Sequence, residues 1–238
     1  MLAAGLGTRL RPLTRLRPKA LCPVGGTPLL DHAIRRVTPY VGVGPANVAV
    51  NAHHLAEQVV EHAGGRVHLS VEEGRPRGTA GALVPLRDWL AGRAVLLTNA
   101  DAWLPADPAE LADFVAGWDG ERCRLLTRAV GSAGDFGDRR YVGVCLLPWR
   151  LVREVPPGES GLYEVLWRRE WEAGRLDLVD TDAPYRDCGT PADYLAANLD
   201  ASGGAGVVGE GAVVEGRVER SVVWDGAYVG PDEHLVEA

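Results

Sequence analysis

Apolar positions along the chain fall into two alternating patterns. Short runs rich in Val and Leu, at 47-51 (NVAVN), 66-72 (RVHLSVE), 93-98 (RAVLLT), 123-129 and 141-147 (YVGVCLL), predict strands. Segments with apolar residues at helical spacing predict helices over 28-40, 53-63, 79-90, 108-117, 162-173 and 191-201. Strands alternating with helices predict an α/β fold in which a Rossmann-like, mainly parallel sheet is flanked by helices. Thr27-Pro28 and Thr190-Pro191 each set a capping residue before a proline suited to the first helical turn, which predicts two helix starts.

The pattern changes at both ends. Only Met1 to Ala4 precede a glycine-rich loop, whereas a central strand usually runs to about five or six residues. A strand this short predicts that a partner segment compensates or that the native chain begins upstream. After Ser202-Gly203-Gly204, valines recur at roughly six-residue intervals among Gly and Glu, predicting a short hexapeptide-repeat β-helix fragment over 203-238 beside a main domain over 1-202. Such coils need about three stacked units to bury a core, so the tail is expected to pack on the main domain or, in a homo-oligomer, on a neighbouring subunit. An edge hairpin is the plainer alternative.

The 238 residues allow one α/β core with a small appendage. A formal charge of −7 gives no general field for a nucleic acid polymer, so any phosphate site must be local. No run approaches the roughly eighteen apolar residues of a membrane span, and no secretory signal opens the chain, so no membrane partner and a cytoplasmic location are expected. Cys22, Cys123, Cys145 and Cys188 lie far apart without zinc spacing and are expected to be reduced packing residues.

Positive charge is concentrated where the first apolar run ends. Arg9, Arg11, Arg15, Arg17 and Lys19 follow one another with no acid between them, and Lys19 is the only lysine in the chain. A lysine that persists in so arginine-biased a sequence marks a place where guanidinium cannot substitute. Gly5-Leu6-Gly7-Thr8-Arg9 follows the short strand, where close-approach glycines present N–H groups to phosphate. The loop lacks the GK[ST] ending of a P-loop and the third glycine of a dinucleotide fingerprint. Asp101 closes the run Leu97-Thr98-Asn99-Ala100-Asp101 at the carboxyl end of an apolar strand, where open α/β sheets bind ligands.

The run LAAGLGTRLRPLTRLRPKALCPVGGTPLLDHAI resembles the signature of the sugar-1-phosphate nucleotidyltransferase family, a GxGTR loop followed by PK and PV-x-x-x-P, as in mannose-1-phosphate guanylyltransferases and N-acetylmuramate-1-phosphate uridylyltransferases. The resemblance implies the nucleotidyltransferase fold, in which the backbone of Leu2, Ala3, Ala4, Gly5, Gly7 and Thr8 wraps the nucleotide phosphates. It assigns catalytic roles to Arg9, Lys19 and Asp101, with Arg9 on the pyrophosphate and Lys19 on the reacting and sugar phosphates. Tyr185-Arg186-Asp187-Cys188-Gly189-Thr190-Pro191 resembles the family's D-x-G-T-P element, which makes Asp101 and Asp187 the ligands of Mg²⁺; as an alternative, Asp187 is a turn residue.

Residues 72-81 resemble the base-reading loop E-x-x-P-L-G-T-A-G, with Glu73, Gly78 and Thr79 joining Asn99 on the nucleotide side. An acceptor-only carboxylate at Glu73 suits the donors of guanine, although uridylyltransferases also carry glutamate there. Gly143 and Glu164 fall where relatives meet the sugar; pairing of Glu164 with Arg168 is the plainer reading. Three departures stand out: Ala100 replaces a glycine and is expected to narrow the approach of the sugar, Arg77 replaces a leucine, and a second lysine is missing, with Arg139 or Arg140 as stand-in. Arg11, Arg15 and Arg17 are expected to be solvated, and His53-His54 structural.

The implied reaction takes an NTP and a sugar 1-phosphate to an NDP-sugar and pyrophosphate. GTP with mannose 1-phosphate comes first and UTP with an amino-sugar or N-acetylmuramate 1-phosphate second. The rival is a non-catalytic nucleotide-sugar-binding regulatory subunit, favoured by the short strand, Ala100 and the missing lysine. A hexapeptide acyltransferase is excluded by the shortness of the tail.

Overall fold

The computed structural model describes every residue except Ser132. Beyond Leu2 the chain leaves the sheet and makes three short 3-10 turns, Thr8–Leu10, Leu13–Arg15 and Lys19–Leu21. Pro12 and Pro18, which have no N–H to donate, separate these turns and keep them from joining. A hairpin of β1 (Pro23–Val24) and β2 (Thr27–Pro28) leads into α1 (Leu29–Val41). Thr27 therefore pairs with Val24 instead of capping a helix, and Pro28 holds the cap position with no side-chain acceptor.

Then come β3 (Ala49–Ala52), α2 (Ala56–Ala63) and β4 (His68–Val71). The predicted 79-90 helix is two single turns, α3 (Gly78–Gly81) and α4 (Arg87–Leu90), because Pro85 interrupts it. β5 (Val95–Thr98), α5 (Pro108–Ala116), β6 (Cys123–Ala129), β7 (Arg139–Leu147) and α6 (Trp149–Val152) follow. A π-helical turn, Tyr163–Trp167, opens the predicted 162-173 helix ahead of α7 (Arg168–Glu172). β8 (Leu176–Asp180) has no counterpart among the predicted strands; its side chains are only half buried at the sheet edge. α8 (Pro191–Ala201) begins where predicted, with the Thr190 hydroxyl accepting the Asp193 N–H at 3.1 Å.

β3 and β4 pair in parallel, as do β6 and β8, while β7 runs antiparallel between β5 and β6. Leu2 joins the two halves, bridging Asn51 beyond β3's centre and Asn99 after β5, both in parallel. The sheet is thus mainly parallel with β7 alone reversed. Helices cover both faces, as alternation along β7 shows: Val144 and Leu146 pack with Phe114 of α5, whereas Cys145 and Leu147 pack with Leu151 and Leu166.

The tail adds β9 (Val207–Val208), β10 (Val213–Val214), β11 (Arg217–Glu219), β12 (Val222–Val223), β13 (Tyr228–Val229) and β14 (His234–Val236). β9 pairs with β12, β10 with β13 and β11 with β14, all in parallel. Parallel pairing between successive coils makes a β-helix and rules out the edge hairpin. The fragment docks on α8 of its own chain, where the Trp224 Nε1–H donates to the Tyr194 hydroxyl at 3.0 Å and Val222 packs with Leu10 and Tyr194.

Candidate active site

Backbone sterics shape the cation-bearing loop. Gly7 has φ +59°, and a Cβ there would lie 2.7 Å from Thr14 Cγ2, so only glycine lets Thr14 close on the loop and donate to the Gly7 carbonyl at 2.7 Å. From α2's side, the imidazole of His54 bonds the Thr14 carbonyl at 2.6 Å and Gln58 donates to the Leu16 carbonyl at 3.1 Å. His53 similarly meets the Gly74 carbonyl at 2.9 Å, so the two histidines tie loops together. Arg11 and Arg15 are exposed, but Arg17 lies over the Trp224 ring, 4.7 Å from its centroid, and is not a simple solvated charge.

Lys19 carries the centre of the site. Its Nζ donates to Asp101 Oδ2 at 3.2 Å and to Asp187 Oδ1 at 3.3 Å, and Arg9 Nη2 reaches Asp187 Oδ2 at 3.2 Å. The Lys19 side chain is only 7% exposed, against 71% for Arg9, so the ammonium lies in the floor and the guanidinium at the rim. Burial by itself would lower the Lys19 pKa, but the charges of Asp101 and Asp187 outweigh it and the shift is upward. Desolvation holds the Asp101 carboxyl above its ordinary range in spite of Lys19.

Asp101 follows β5 directly, and Gly5 crosses above it, since a Cβ on Gly5 would lie 3.6 Å from its Oδ2. Asp187 arrives from the far side of the chain through a two-way backbone bridge between Trp103 and Arg186, at 2.9 and 3.0 Å. Gly189 leaves room beside it: a Cβ there would stand 2.6 Å from Asp187 Oδ2 and 2.9 Å from Arg9 Nη2, so both side chains would have to shift. Among the described residues no group of three or more His, Cys, Asp or Glu forms a metal cage. Two carboxylates converging on one small cationic point nevertheless fit Mg²⁺, which binds through one or two carboxylates and takes its other oxygens from phosphates and water.

Two buried residues that the sequence did not single out support the loops expected to hold the nucleotide. Asn51 accepts the Ala3 N–H at 2.7 Å through Oδ1 and donates through Nδ2 to Glu72 Oε1 at 2.8 Å, while Glu72 Oε2 accepts the Arg77 N–H at 2.7 Å. Both are buried, so this chain ties the glycine loop to the 72-81 loop. Polar residues among the apolar ends of β3 and β4 were the available signal. Glu73 itself is exposed and makes no bond among the described residues. Gly78 has φ +72°, and a Cβ there would meet the Ser160 carbonyl at 2.5 Å; the Thr79 hydroxyl accepts the Leu162 N–H at 2.9 Å.

Asn99, expected on the nucleotide side, donates its backbone N–H at 2.8 Å to the carbonyl of Gly143, expected on the sugar side, and Gly143 has φ +83° with a would-be Cβ 3.3 Å from that of Asn99. Glu164 is exposed beside Gly161 and does not pair with Arg168, which instead bonds Glu172 at 3.0 Å. Arg139 is taken up by Asp180 at 2.9 Å, which removes it as a stand-in for the missing lysine and leaves Arg140. Ala100 is fully buried against Ala3 and Leu30, so its methyl fills the core and does not narrow the sugar's approach.

Known proteins resemble the chain in sequence and in fold. The family profile described as "Nucleotidyl transferase" matches residues 1–137. An N-acetylmuramate alpha-1-phosphate uridylyltransferase of Caulobacter vibrioides is 30% identical over 230 residues, covering 83% of this chain and 93% of the relative. A mannose-1-phosphate guanylyltransferase of Mycobacterium tuberculosis is 26% identical over 268 residues, covering 99% of this chain and 72% of the relative. In fold, the chain resembles the crystal structure of a putative glucose-1-phosphate thymidylyltransferase from Bacillus anthracis, with TM-score 0.70 at 19% identity over 84% of this chain and 93% of that one.

Proposed function

We propose, from the premise that the chain belongs to the nucleotidyl transferase family, that the cluster of Lys19, Asp101 and Asp187 is the centre at which it works as a sugar-1-phosphate nucleotidyltransferase. The reaction joins the nucleotidyl group of an NTP to a sugar 1-phosphate and releases pyrophosphate. The observation that carries the assignment of this centre is the bridging of Lys19 Nζ between two carboxylates that lie far apart in sequence.

The sugar phosphate needs no general base, since its second pKa lies near 6 and it is largely ionised at neutral pH. What remains for the protein is alignment and charge. The loop from Leu2 to Thr8 presents backbone N–H groups to the triphosphate, and Arg9 faces the departing pyrophosphate. Lys19 neutralises the reacting phosphates from a position fixed by the two aspartates. Asp101 and Asp187 would hold Mg²⁺, which supplies charge neutralisation to the phosphate oxygens when bound. Residues 1-202 form the catalytic unit and 203-238 the tail in this reading, and the location is cytoplasmic. No helix among the described residues is long and apolar enough to cross a membrane.

GTP with mannose 1-phosphate is the first substrate pair. The exposed carboxylate of Glu73 supports it, as does the guanylyltransferase match that extends over 99% of the chain and so into the tail. UTP with N-acetylmuramate 1-phosphate is the second, favoured by the higher identity of 30% to the uridylyltransferase. The regulatory-subunit reading loses one support, because Ala100 packs in the core. Pyrophosphate release measured with four NTPs against a panel of sugar 1-phosphates, with and without Mg²⁺, tests the proposal. Turnover is expected with GTP and mannose 1-phosphate. Binding of a nucleotide sugar without pyrophosphate release from any pair would overturn catalysis in favour of the regulatory reading.

A further inference from the structure

One buried cluster gathers neighbours of all four charged residues of the site. Leu10, Cys22, Trp103 and Cys188 belong to it, together with Tyr194 of α8. Leu10 follows Arg9 and Cys188 follows Asp187, while Trp103 lies two residues beyond Asp101 and Cys22 three beyond Lys19. Val222 and Trp224 of the tail pack against the same cluster. The tail thus rests on the core that carries the charged residues.

Trp224 makes two directional contacts there. Its Nε1–H donates to the Tyr194 hydroxyl at 3.0 Å, and that hydroxyl donates to the Pro23 carbonyl at the exit of the cation-bearing loop. Asn198 of α8 reinforces the exit by accepting the Gly25 N–H at 3.1 Å. The indole face carries Arg17, whose Cζ lies 4.7 Å from the ring centroid. Arg17 stands two residues before Lys19, so one side chain of the tail holds the loop before the lysine and, through Tyr194, after it.

The chemistry of the contact suits a phosphate site. The run from Arg9 to Lys19 holds five cations and no acid, and these charges repel one another. A carboxylate would hold Arg17 but would cancel part of the positive field that phosphates meet. A π face attracts the guanidinium through its quadrupole and brings no net charge. Beside the contact lies a cavity of about 360 Å³, lined by Pro12 and Leu13 of the loop, Leu195 of α8, and Tyr228 and Leu235 of the tail. The loop therefore has room to shift once the indole is gone.

We propose that Trp224 is a positioning residue of the active site: through it the tail sets the path of the loop from Arg9 to Lys19, and with it the placement of the Lys19 ammonium. Its value in catalysis rests on the reaction proposed above, in which Lys19 neutralises the reacting phosphates, whereas the hold on the loop does not.

Pyrophosphate release, amide hydrogen exchange and Tm of variants of the full chain test this. Trp224→Leu is expected to lower kcat and kcat/KM together by about tenfold, because a contact made in the transition state is displaced. Exchange at the amides of Arg15, Leu16, Arg17, Leu21 and Cys22, which are hydrogen-bonded within the loop, is expected to quicken by about tenfold as well. Trp224→Phe keeps an aromatic face and is expected to bring kcat back to within about threefold of the wild type. Arg17→Leu makes the same test from the loop side should Trp224→Leu not fold. The double variant is expected to lose no more than either single one, since both remove the same contact. Val229→Ala opens a cavity among buried residues of the tail, and here Tm is expected to fall with kcat unchanged. Wild-type kcat in Trp224→Leu and Arg17→Leu would overturn the proposal, as would a loss of kcat in Val229→Ala equal to theirs. If the wild type releases no pyrophosphate from any substrate pair, the assigned reaction fails by itself and the exchange rates decide: quickened rates in Trp224→Leu uphold the grip of the tail on the loop, and unchanged rates overturn it.

Discussion

The two ends of the strand position between β3 and β5 are built in opposite ways. At its carboxyl end Lys19, Arg9, Asp101 and Asp187 face one another, and each charge has a partner within the chain. At its amino end the walls are apolar, and the N–H groups of Ala49, Leu96 and Thr98 have no partner among the described residues. The first end concentrates ionic groups that add little to folding, since a partly buried ion pair roughly balances its own desolvation. The second withholds sheet hydrogen bonds and apolar contact, which are the terms that hold a fold together. Chemistry and stability are therefore separable along one strand only a few residues long.

Asp101→Asn is the sharpest way to break that comparison. It removes a charge facing Lys19 while preserving shape, and pyrophosphate release is expected to fall by about a thousandfold or more with Tm nearly unchanged. Wild-type turnover, or a collapse of Tm, would show that the two ends are not separable as described.

Glu72→Gln lies between the extremes. Glutamine keeps one acceptor where Glu72 uses two, for Asn51 and for the Arg77 N–H, so a buried donor is left facing a donor at a cost of about 1–3 kcal/mol. The loosened tie between the glycine loop and the 72-81 loop is expected to raise KM for the nucleotide roughly tenfold with kcat changed little, since this cost maps onto ground-state binding. Steady-state kinetics over a range of NTP concentrations separate the two parameters, and an equal fall in kcat would make Glu72 part of the chemistry.

A third effect concerns pH and the Met1 nitrogen. Its pKa falls from 8.0 to about 5 on folding because of burial, so between those values the unfolded chain binds more protons than the folded one. This group's contribution to stability therefore rises from pH 5 to pH 8 and is level on either side. Acetylating Met1 removes the dependence, and the Tm advantage of the acetylated protein is expected to widen by on the order of ten degrees as pH falls through that window. Parallel Tm curves for the two proteins would show that the amino group is not buried in solution.

Much of the site was legible in the residues themselves. Gly7 has to be glycine for its left-handed backbone, Lys19 stands out as the chain's only lysine, and Asp101 ends an apolar strand. The Thr190 cap and the brevity of the first strand were readable for the same reason, because they depend on neighbours within a few residues. Other features gave weak local signal. Thr27-Pro28 does precede a helix, α1 from Leu29, but Thr27 closes a hairpin instead of capping it, and Ala100 reads as an obstruction at the sugar until its methyl is found in the core.

The sequence by itself determined which residue types the chain offers to phosphate and where the strands and most helices fall, because periodicity and backbone restriction act over short range. The tertiary structure alone decided that Asp187 shares Lys19 with Asp101, that Asn51 and Glu72 lock two loops together, that Arg17 leans on Trp224, and that β7 runs against its neighbours. Each of these is a distance between segments remote in sequence. Such distances are set by the order in which strands pack, which no local pattern encodes.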